Sequence, residues 1–304
     1  MTRPTRRQVL TAGLAAALGA ATRPSGAAVA PKKPEHFDGT IAPQLKLSLA
    51  AYSFREHLPQ GSRKGTMTLH DLLDLAAVWR LDAIEPTSYY FSSEEPAYLH
   101  SFKAKAFRLG LDISGTAIRN NCCLPPGEAR DREIAHVKKW IDHSVEFGAP
   151  VIRVFAGSKP KDADHDRAVG WFVESMKQCC DYAGSRGVFL AIENHGYLTE
   201  TADDVLRLVD DVDHEWFGVN LDTGNFHEKP YENLATLAPK AITVQVKVAV
   251  RTAAGAEEAD FDRIAGILRD VNYRGYVALE YEAKEDPMTA VPKYLDKLRA
   301  AIQA

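Results

Sequence analysis

Acidic and amide side chains follow short apolar, strand-like runs in the second half of the chain. Glu193, Asp222 and Glu280 each close such a run, and Gln245 closes a fourth that begins at Ala241. One such acid alone would more often cap a helix or pair with a nearby arginine. Parallel strands bring their carboxyl ends to one rim, where four oxygen donors suit Mn²⁺, Mg²⁺ or Co²⁺. The pattern predicts one divalent cation held by these four residues.

Other polar residues follow the same runs and are candidates for catalysis or substrate binding. His195, two residues after the first acid, and Asn225 and His227, in the loop after Asp222, are candidates for substrate binding. Either histidine could ligate a metal, bind a sugar hydroxyl or make only a local hydrogen bond. Lys247 is a candidate catalytic residue, and Arg251 a candidate for substrate binding. Both could equally be ordinary surface charges.

Strand-like and helical patterns alternate along residues 45–302, which defines the elements that must position these side chains. We predict strands at Leu45–Ala51, Leu81–Glu85, Leu111–Thr116, Pro150–Phe155, Val188–Glu193, Phe217–Asp222, Ala241–Val246 and Tyr276–Glu280. We predict helices at Thr68–Arg80, Ala97–Leu109, Arg132–Phe147, Ala168–Arg186, Ala202–Val212, Tyr231–Leu237, Phe261–Val271 and Met288–Ile302. Eight β-α units favour an α/β fold, the closed (β/α)₈ TIM barrel, as a single domain over residues 45–304.

A doubly wound open sheet would show the same alternation of strands and helices. That fold usually carries a glycine-rich phosphate loop after its first strand. The residues at that position, Tyr52-Ser53-Phe54-Arg55, do not form such a loop. The barrel is therefore the favoured prediction.

The first thirty residues resemble an export signal. Arg6 and Arg7 precede an apolar stretch, Leu10–Ala21, that is too short for a bilayer span of about 20 residues. Residues 1–30 are read as a twin-arginine-type signal and residues 31–44 as a flexible lead-in; a disordered basic tail is the alternative. We expect a periplasmic or other extracytoplasmic protein with no stable membrane insertion once the signal is removed.

The charge balance argues against one class of partner. The chain has 37 basic and 41 acidic residues, and residues 1–30 contain four of the arginines and no acid. The remainder carries a net charge of −8, which repels phosphate backbones, so we expect no nucleic-acid binding.

The cysteines form two adjacent pairs, Cys122-Cys123 and Cys179-Cys180, which fit neither a disulfide framework nor a zinc site.

Several motifs resemble the xylose-isomerase-like TIM-barrel superfamily of sugar isomerases and epimerases. They are Ile-Glu-Asn-His-Gly at 192–196, Leu-Asp-Thr-Gly-Asn at 221–225, Leu-Glu at 279–280, the first strand at 47–53 and Ile-Glu-Pro-Thr at 84–87. The resemblance implies that Glu193 and Glu280 transfer protons and, with Asp222, bind the metal. It also implies substrate contacts from Arg251 and from Glu85, the acid at the end of the second strand.

The resemblance implies a mechanism, and one residue departs from the family pattern. Removal of a proton next to a sugar carbonyl gives an enediolate, which a divalent cation would stabilise. Gln245 stands where these epimerases carry histidine, and a glutamine carbonyl binds a cation more weakly. A lyase or hydratase acting on 3-keto-sugars or 3-keto-glycosides is therefore the second interpretation. A catalytically inactive sugar-binding barrel is the third. The expected partner is a small carbohydrate, and a homo-oligomer is possible.

Overall fold

The protein is described by a computed structural model that covers residues 43–158 and 163–304. These residues belong to one compact unit, Ala42–Ala304. The predicted export signal lies outside the described residues, as does all of the predicted lead-in except its last two positions. Both stay predictions. Within the described residues, no helix is long and apolar enough to cross a membrane.

A ring of parallel strands forms the centre of the molecule. The strands, in chain order, are β1 (Gln44–Ala50), β2 (Ala83–Glu85), β3 (Asp112–Ile113), β4 (Thr116–Ala117), β5 (Val151–Val154), β6 (Phe189–Glu193), β7 (Phe217–Asp222), β8 (Ala241–Lys247), β9 (Ala249–Thr252), β10 (Gly255–Glu258) and β11 (Arg274–Glu280). Nine of them pair in the order β3-β2-β1-β11-β8-β7-β6-β5-β4, and every pairing in this sheet is parallel. The predicted strands are all present.

The third position of the ring is divided between two short strands. β3 pairs with β2, and β4 pairs with β5, so the two halves together close the barrel. Gly115 lies between them, where a Cβ would approach a side-chain carbon of Val151 to 2.8 Å. A larger residue here would require the Val151 side chain to shift. The predicted single strand at residues 111–116 is thus divided into β3 and β4.

Eight α-helices surround the ring within the described residues. They are α1 (Leu69–Val78), α2 (Pro96–Arg108), α3 (Glu128–Phe147), α4 (His165–Arg186), α5 (Ala202–Val212), α6 (Pro230–Leu237), α7 (Phe261–Asp270) and α8 (Pro287–Gln303). Thr68 and Thr201 begin α1 and α5 with capping boxes completed by Asp71 and Asp204. Leucine, isoleucine, valine and phenylalanine side chains fill the core between helices and strands. The structure confirms the predicted (β/α)₈ TIM barrel.

A short antiparallel hairpin, β9–β10, was not predicted. It follows β8 directly, and its second strand is fully exposed. Its sequence, Ala249–Glu258, contains few apolar residues in alternation, so it lacks the pattern of a half-buried strand. The hairpin extends one loop at the carboxyl end of the barrel.

The cysteines are buried in the core as free thiols. Cys179 and Cys180 lie within α4, where their side chains pack against apolar neighbours. Burial raises the pKa of the Cys179 thiol to about 12, which keeps the thiol protonated.

Candidate active site

The strand ends bring the predicted acids to one end of the barrel. Glu193, Asp222 and Glu280 are the last residues of β6, β7 and β11. Gln245 lies in β8 two residues before its end, at Lys247, so both side chains point to the same face of the strand. All five residues are buried. This end of the barrel thus holds a dense group of charged and amide side chains.

Asp222 lies at the centre of the group with no exposed surface. Its Oδ1 accepts a hydrogen bond from the Gly224 amide, and its backbone is fixed on both sides by the Asn194 side chain. Its Oδ2 has no hydrogen-bond partner among the described residues, and Lys247 Nζ lies 3.5 Å away. Burial raises the pKa of Asp222 well above its usual range, although the Lys247 charge acts in the opposite direction.

The Lys247 ammonium is surrounded by carboxylates. Its Nζ lies 2.6 Å from Glu282 Oε2 and 2.8 Å from Glu280 Oε2, in addition to the Asp222 contact. Burial by itself lowers the pKa of Lys247, but the neighbouring carboxylates outweigh it and hold the pKa well above its ordinary value. Lys247 is therefore a fixed positive charge within the site.

A second buried cation, Arg153, pairs with Glu193. Arg153 Nε lies 2.9 Å from Glu193 Oε2, and Asn225 Nδ2 donates to Glu193 Oε1 over 2.9 Å. The guanidinium also donates to the Ile118 carbonyl and covers the Phe155 ring at 4.0 Å from its centroid. Burial opposes the charge of Arg153, but the Glu193 carboxylate raises its pKa above the ordinary value. Glu193 is consequently held in one orientation.

Gln245 uses its amide group to join buried polar residues below the site. Its Nε2 donates to Glu85 Oε1 over 2.5 Å, and its Oε1 accepts from Asn220 Nδ2 over 2.8 Å. Burial raises the pKa of Glu85 to about 7, with a further contribution from the Glu280 charge, while the Gln245 hydrogen bond lowers it. Glu85 was predicted to bind substrate, but it is 1% exposed and contacts Gln245.

A cavity of about 290 Å³ opens above these residues, and we call it the inner cavity. Five predicted site residues line it: Glu193, His195, Asn225, Lys247 and Glu280. Asp222, Gln245 and Glu85 are buried and do not line its wall. His227 and Arg251 do not line it either; Arg251 Nη1 lies 3.4 Å from His227 Nδ1. Their predicted substrate contacts stay predictions.

Six further residues of the wall were missed by the sequence analysis: Tyr52, Tyr89, Arg119, Arg153, Phe155 and Glu282. Arg153 gave a usable signal, because a lone arginine interrupts the apolar run of β5 and a charge there must be paired. Glu282 lies two residues after Glu280, beyond the end of β11 and of the predicted strand, so no element was predicted there to position it. The others follow β1, β4 and β5 or lie in the loop after β2.

The predicted divalent cation would need several oxygen donors at this end of the barrel. Carboxylate and amide oxygens are suitable donors, and the unpartnered Asp222 Oδ2 is one. As the side chains are arranged, however, no three His, Cys, Asp or Glu residues in the described part of the chain form a group that could hold an ion. Lys247 Nζ lies among the carboxylates, and Gln245 Oε1 is bonded to Asn220. In this arrangement the Lys247 ammonium lies where a cation would bind, and the predicted divalent cation stays a prediction.

Comparison with known families decides which barrel this is. Residues 73–301 match the family described as Xylose isomerase-like TIM barrel. The chain belongs to this family. Members of the family share the architecture described above, and the resemblance noted from the motifs at 192–196 and 221–225 is confirmed at the level of the family.

Several known proteins are similar to the chain at low sequence identity. A 2-oxo-tetronate isomerase of Haemophilus influenzae is 24% identical over 183 residues, which is 55% of this chain and 68% of that protein. The crystal structure of a D-psicose 3-epimerase has a TM-score of 0.69 at 20% identity and covers 85% of this chain and 97% of its own. A 3-keto-D-glucoside 4-epimerase from E. coli has a TM-score of 0.68 at 16% identity, covering 84% and 100%. At these identities the two structures show the fold.

Proposed function

We propose that this protein is a carbohydrate isomerase or epimerase that moves a proton at the carbon next to a carbonyl group. The observation that carries the proposal is that Glu193 and Glu280 line the same cavity from β6 and β11. Two strands of the ring separate them, so they reach a bound substrate from different directions. The family and the isomerase and epimerase among its relatives support this reading.

The proton transfer is proposed to begin at Glu280. Its carboxylate removes the proton from the carbon, and the electron pair of the broken C–H bond forms a C=C bond with the carbonyl carbon. The π electron pair of the C=O bond moves to the carbonyl oxygen, so the substrate becomes an enediolate. Lys247, fixed beside Glu280, places a positive charge where it stabilises the negative oxygen. Arg153 and Asn225 hold the Glu193 side chain in place. His195 and Tyr52 offer hydrogen-bonding groups that would orient the sugar.

The second half of the reaction returns a proton to the enediolate. Return from Glu280 to the adjacent carbon, with transfer of the neighbouring hydroxyl proton to the former carbonyl oxygen, gives an isomer, because the carbonyl and hydroxyl positions exchange. Delivery of a solvent proton through Glu193 to the other face of the original carbon gives an epimer. Loss of an oxygen from the next carbon would instead give elimination, which is the reaction of the alternative lyase.

The proposal is tested by isotope exchange. The purified protein is incubated in D₂O with keto-sugars and 3-keto-glycosides, and the substrates are examined by NMR for deuterium next to the carbonyl. Incorporation into recovered substrate or an isomer is expected. An unsaturated ketone without an exchanged isomer would favour the lyase. Binding of a sugar without exchange on any substrate would favour the inactive sugar-binding barrel and overturn the proposal.

A further inference from the structure

A second cavity adjoins the inner cavity, and we call it the outer cavity. Its volume is about 280 Å³, close to that of the inner cavity, and Tyr89 and Arg119 line both. Small-molecule pockets in proteins hold roughly 300–1,000 Å³. Each of the two cavities therefore lies near the lower limit for one small molecule, and together they offer room for a ligand of two linked units.

The lining of the outer cavity combines aromatic surface with both hydrogen-bond donors and acceptors. Tyr89 and Trp140 provide the aromatic surface, and Trp140 is fixed by a ring contact with Phe91. The Arg119 guanidinium offers hydrogen-bond donors, and the Glu94 carboxylate offers acceptors. A sugar ring needs the same combination, because its hydroxyl groups donate and accept while its C–H face packs on aromatic rings.

A purely apolar occupant fits the outer cavity less well. It would leave the donors of Arg119 without partners. The Glu94 carboxylate is already paired with Lys139 and His143. A group with hydroxyls on its edge can accept hydrogen bonds from Arg119.

Arg119 connects the two cavities. Its guanidinium lies over the Tyr89 ring at 5.7 Å from the centroid, and it forms no ion pair among the described residues. The other two cations of the inner cavity, Arg153 and Lys247, are both paired with carboxylates. Arg119 therefore has donors available to oxygen atoms at the junction of the two cavities.

We propose that the outer cavity is a second sugar-binding subsite, so that the preferred substrate is a keto-sugar joined by a glycosidic bond to a second ring. The inference rests on the proposed function and adds the substrate class to it. The reacting ring occupies the inner cavity beside Glu280 and Lys247, and the second ring occupies the outer cavity. Binding of the remote ring then contributes to orienting the reacting one, so a substrate without it loses kcat as well as affinity.

The test compares substrates that differ only in the second ring. Exchange kinetics in D₂O are measured for methyl 3-keto-β-glucoside against 3-keto-cellobiose, and for D-fructose against lactulose. Wild type should prefer at least one two-ring substrate over its partner by about tenfold or more in kcat/KM. Arg119→Ala and His136→Ala should each reduce that preference by about tenfold, the effect of one lost hydrogen bond to a charged or polar group.

Two variants at exposed residues serve as controls. Arg108→Ala and His100→Ala repeat the same substitutions on α2, outside both cavities, and should keep the preference of wild type. Equal kcat/KM for one-ring and two-ring substrates, or a preference that survives both Arg119→Ala and His136→Ala, would overturn the subsite.

Calorimetric binding of the same sugars separates the subsite from the catalytic proposal. If no sugar exchanges deuterium, the proposed function fails. The subsite still stands if 3-keto-cellobiose binds more tightly than methyl 3-keto-β-glucoside and Arg119→Ala removes the difference. Equal binding of these two sugars in wild type would contradict it even if exchange is observed.

Discussion

Lys247 and Glu280 face each other as register partners on neighbouring strands, and Lys247 Nζ lies 2.8 Å from Glu280 Oε2. The pairing of the two strands therefore fixes the proposed base, Glu280, beside the Lys247 ammonium that is proposed to stabilise the enediolate. The same ammonium lies 3.5 Å from Asp222 Oδ2, within the group of carboxylates for which the sequence predicts a metal. A divalent cation among these acids would meet the positive charge of Lys247.

Lys247→Met should strengthen the binding of Mn²⁺. The substitution removes a positive charge from a buried group of carboxylates, which leaves them attractive to another cation. At short range this electrostatic change corresponds to an increase in affinity of about tenfold or more. Titration calorimetry with Mn²⁺ measures it, and Lys105→Met is the control, since Lys105 pairs with Asp74 on the surface. Equal affinity in wild type and Lys247→Met would mean that Lys247 withdraws when a metal binds.

Glu280→Gln should lower kcat for isotope exchange by roughly 10²–10⁴-fold, the usual contribution of a general base. The amide has the shape of the acid but does not take a proton from carbon. Lys247 keeps Glu282 and Asp222 as partners, so the thermal unfolding midpoint should change little.

Glu285→Gln is the matched control for Glu280→Gln. Glu285 follows the same strand, β11, but pairs with Lys293 on the surface, so its replacement should leave kcat unchanged. Retained exchange in Glu280→Gln would remove that residue from the mechanism.

The sequence contained enough information for the architecture, because each element had its own local signal. The helix that begins after Thr201 has an N-cap, an acid three residues later and an apolar stripe, and the structure places α5 at Ala202–Val212 as predicted. The buried strands read as apolar runs, and their ends located Glu193, Asp222 and Glu280 at one rim. Such local patterns do not depend on distant residues, so they can be recognised in the sequence alone.

The contacts within the site depend on distant residues and could not be predicted in this way. Gln245 was expected to offer its oxygen to a metal, yet that oxygen accepts from Asn220 and its amide donates to Glu85, 160 positions away. Arg119 borders both cavities although no pattern marks it in the sequence. Such pairings are fixed by the closure of the barrel, which brings together loops that the sequence keeps far apart.

The capping box of α1 should make one contribution to stability dependent on pH. The Thr68 backbone amide and hydroxyl donate to Asp71, and these hydrogen bonds hold the pKa of that carboxyl below its usual range. Because the folded-state pKa is lowered, the stabilisation is present at pH values above the ordinary pKa of about 3.9 and is lost as the pH falls through the folded value.

Asp71→Asn tests this dependence. The difference in free energy of unfolding between wild type and Asp71→Asn should be largest near neutral pH and should shrink below about pH 4. Urea denaturation at several pH values measures it. Asp270→Asn, at the other end of a helix (α7), is the control for the loss of one exposed charge. A difference that stays constant with pH would show that the Asp71 charge does not contribute through the cap.

The buried pair of Arg153 and Glu193 should show strong coupling. Arg153→Met leaves the Glu193 carboxylate buried with only Asn225 as a partner, and an unpaired buried charge costs about 3–5 kcal/mol of stability. Adding Glu193→Gln removes that charge, so the double variant should regain part of the loss. Urea denaturation of the four proteins gives the coupling energy. Arg207→Met, which breaks an exposed pair with Asp166, should cost less than about 1 kcal/mol. Additive losses from Arg153→Met and Glu193→Gln would contradict the pairing, because independent residues show no coupling.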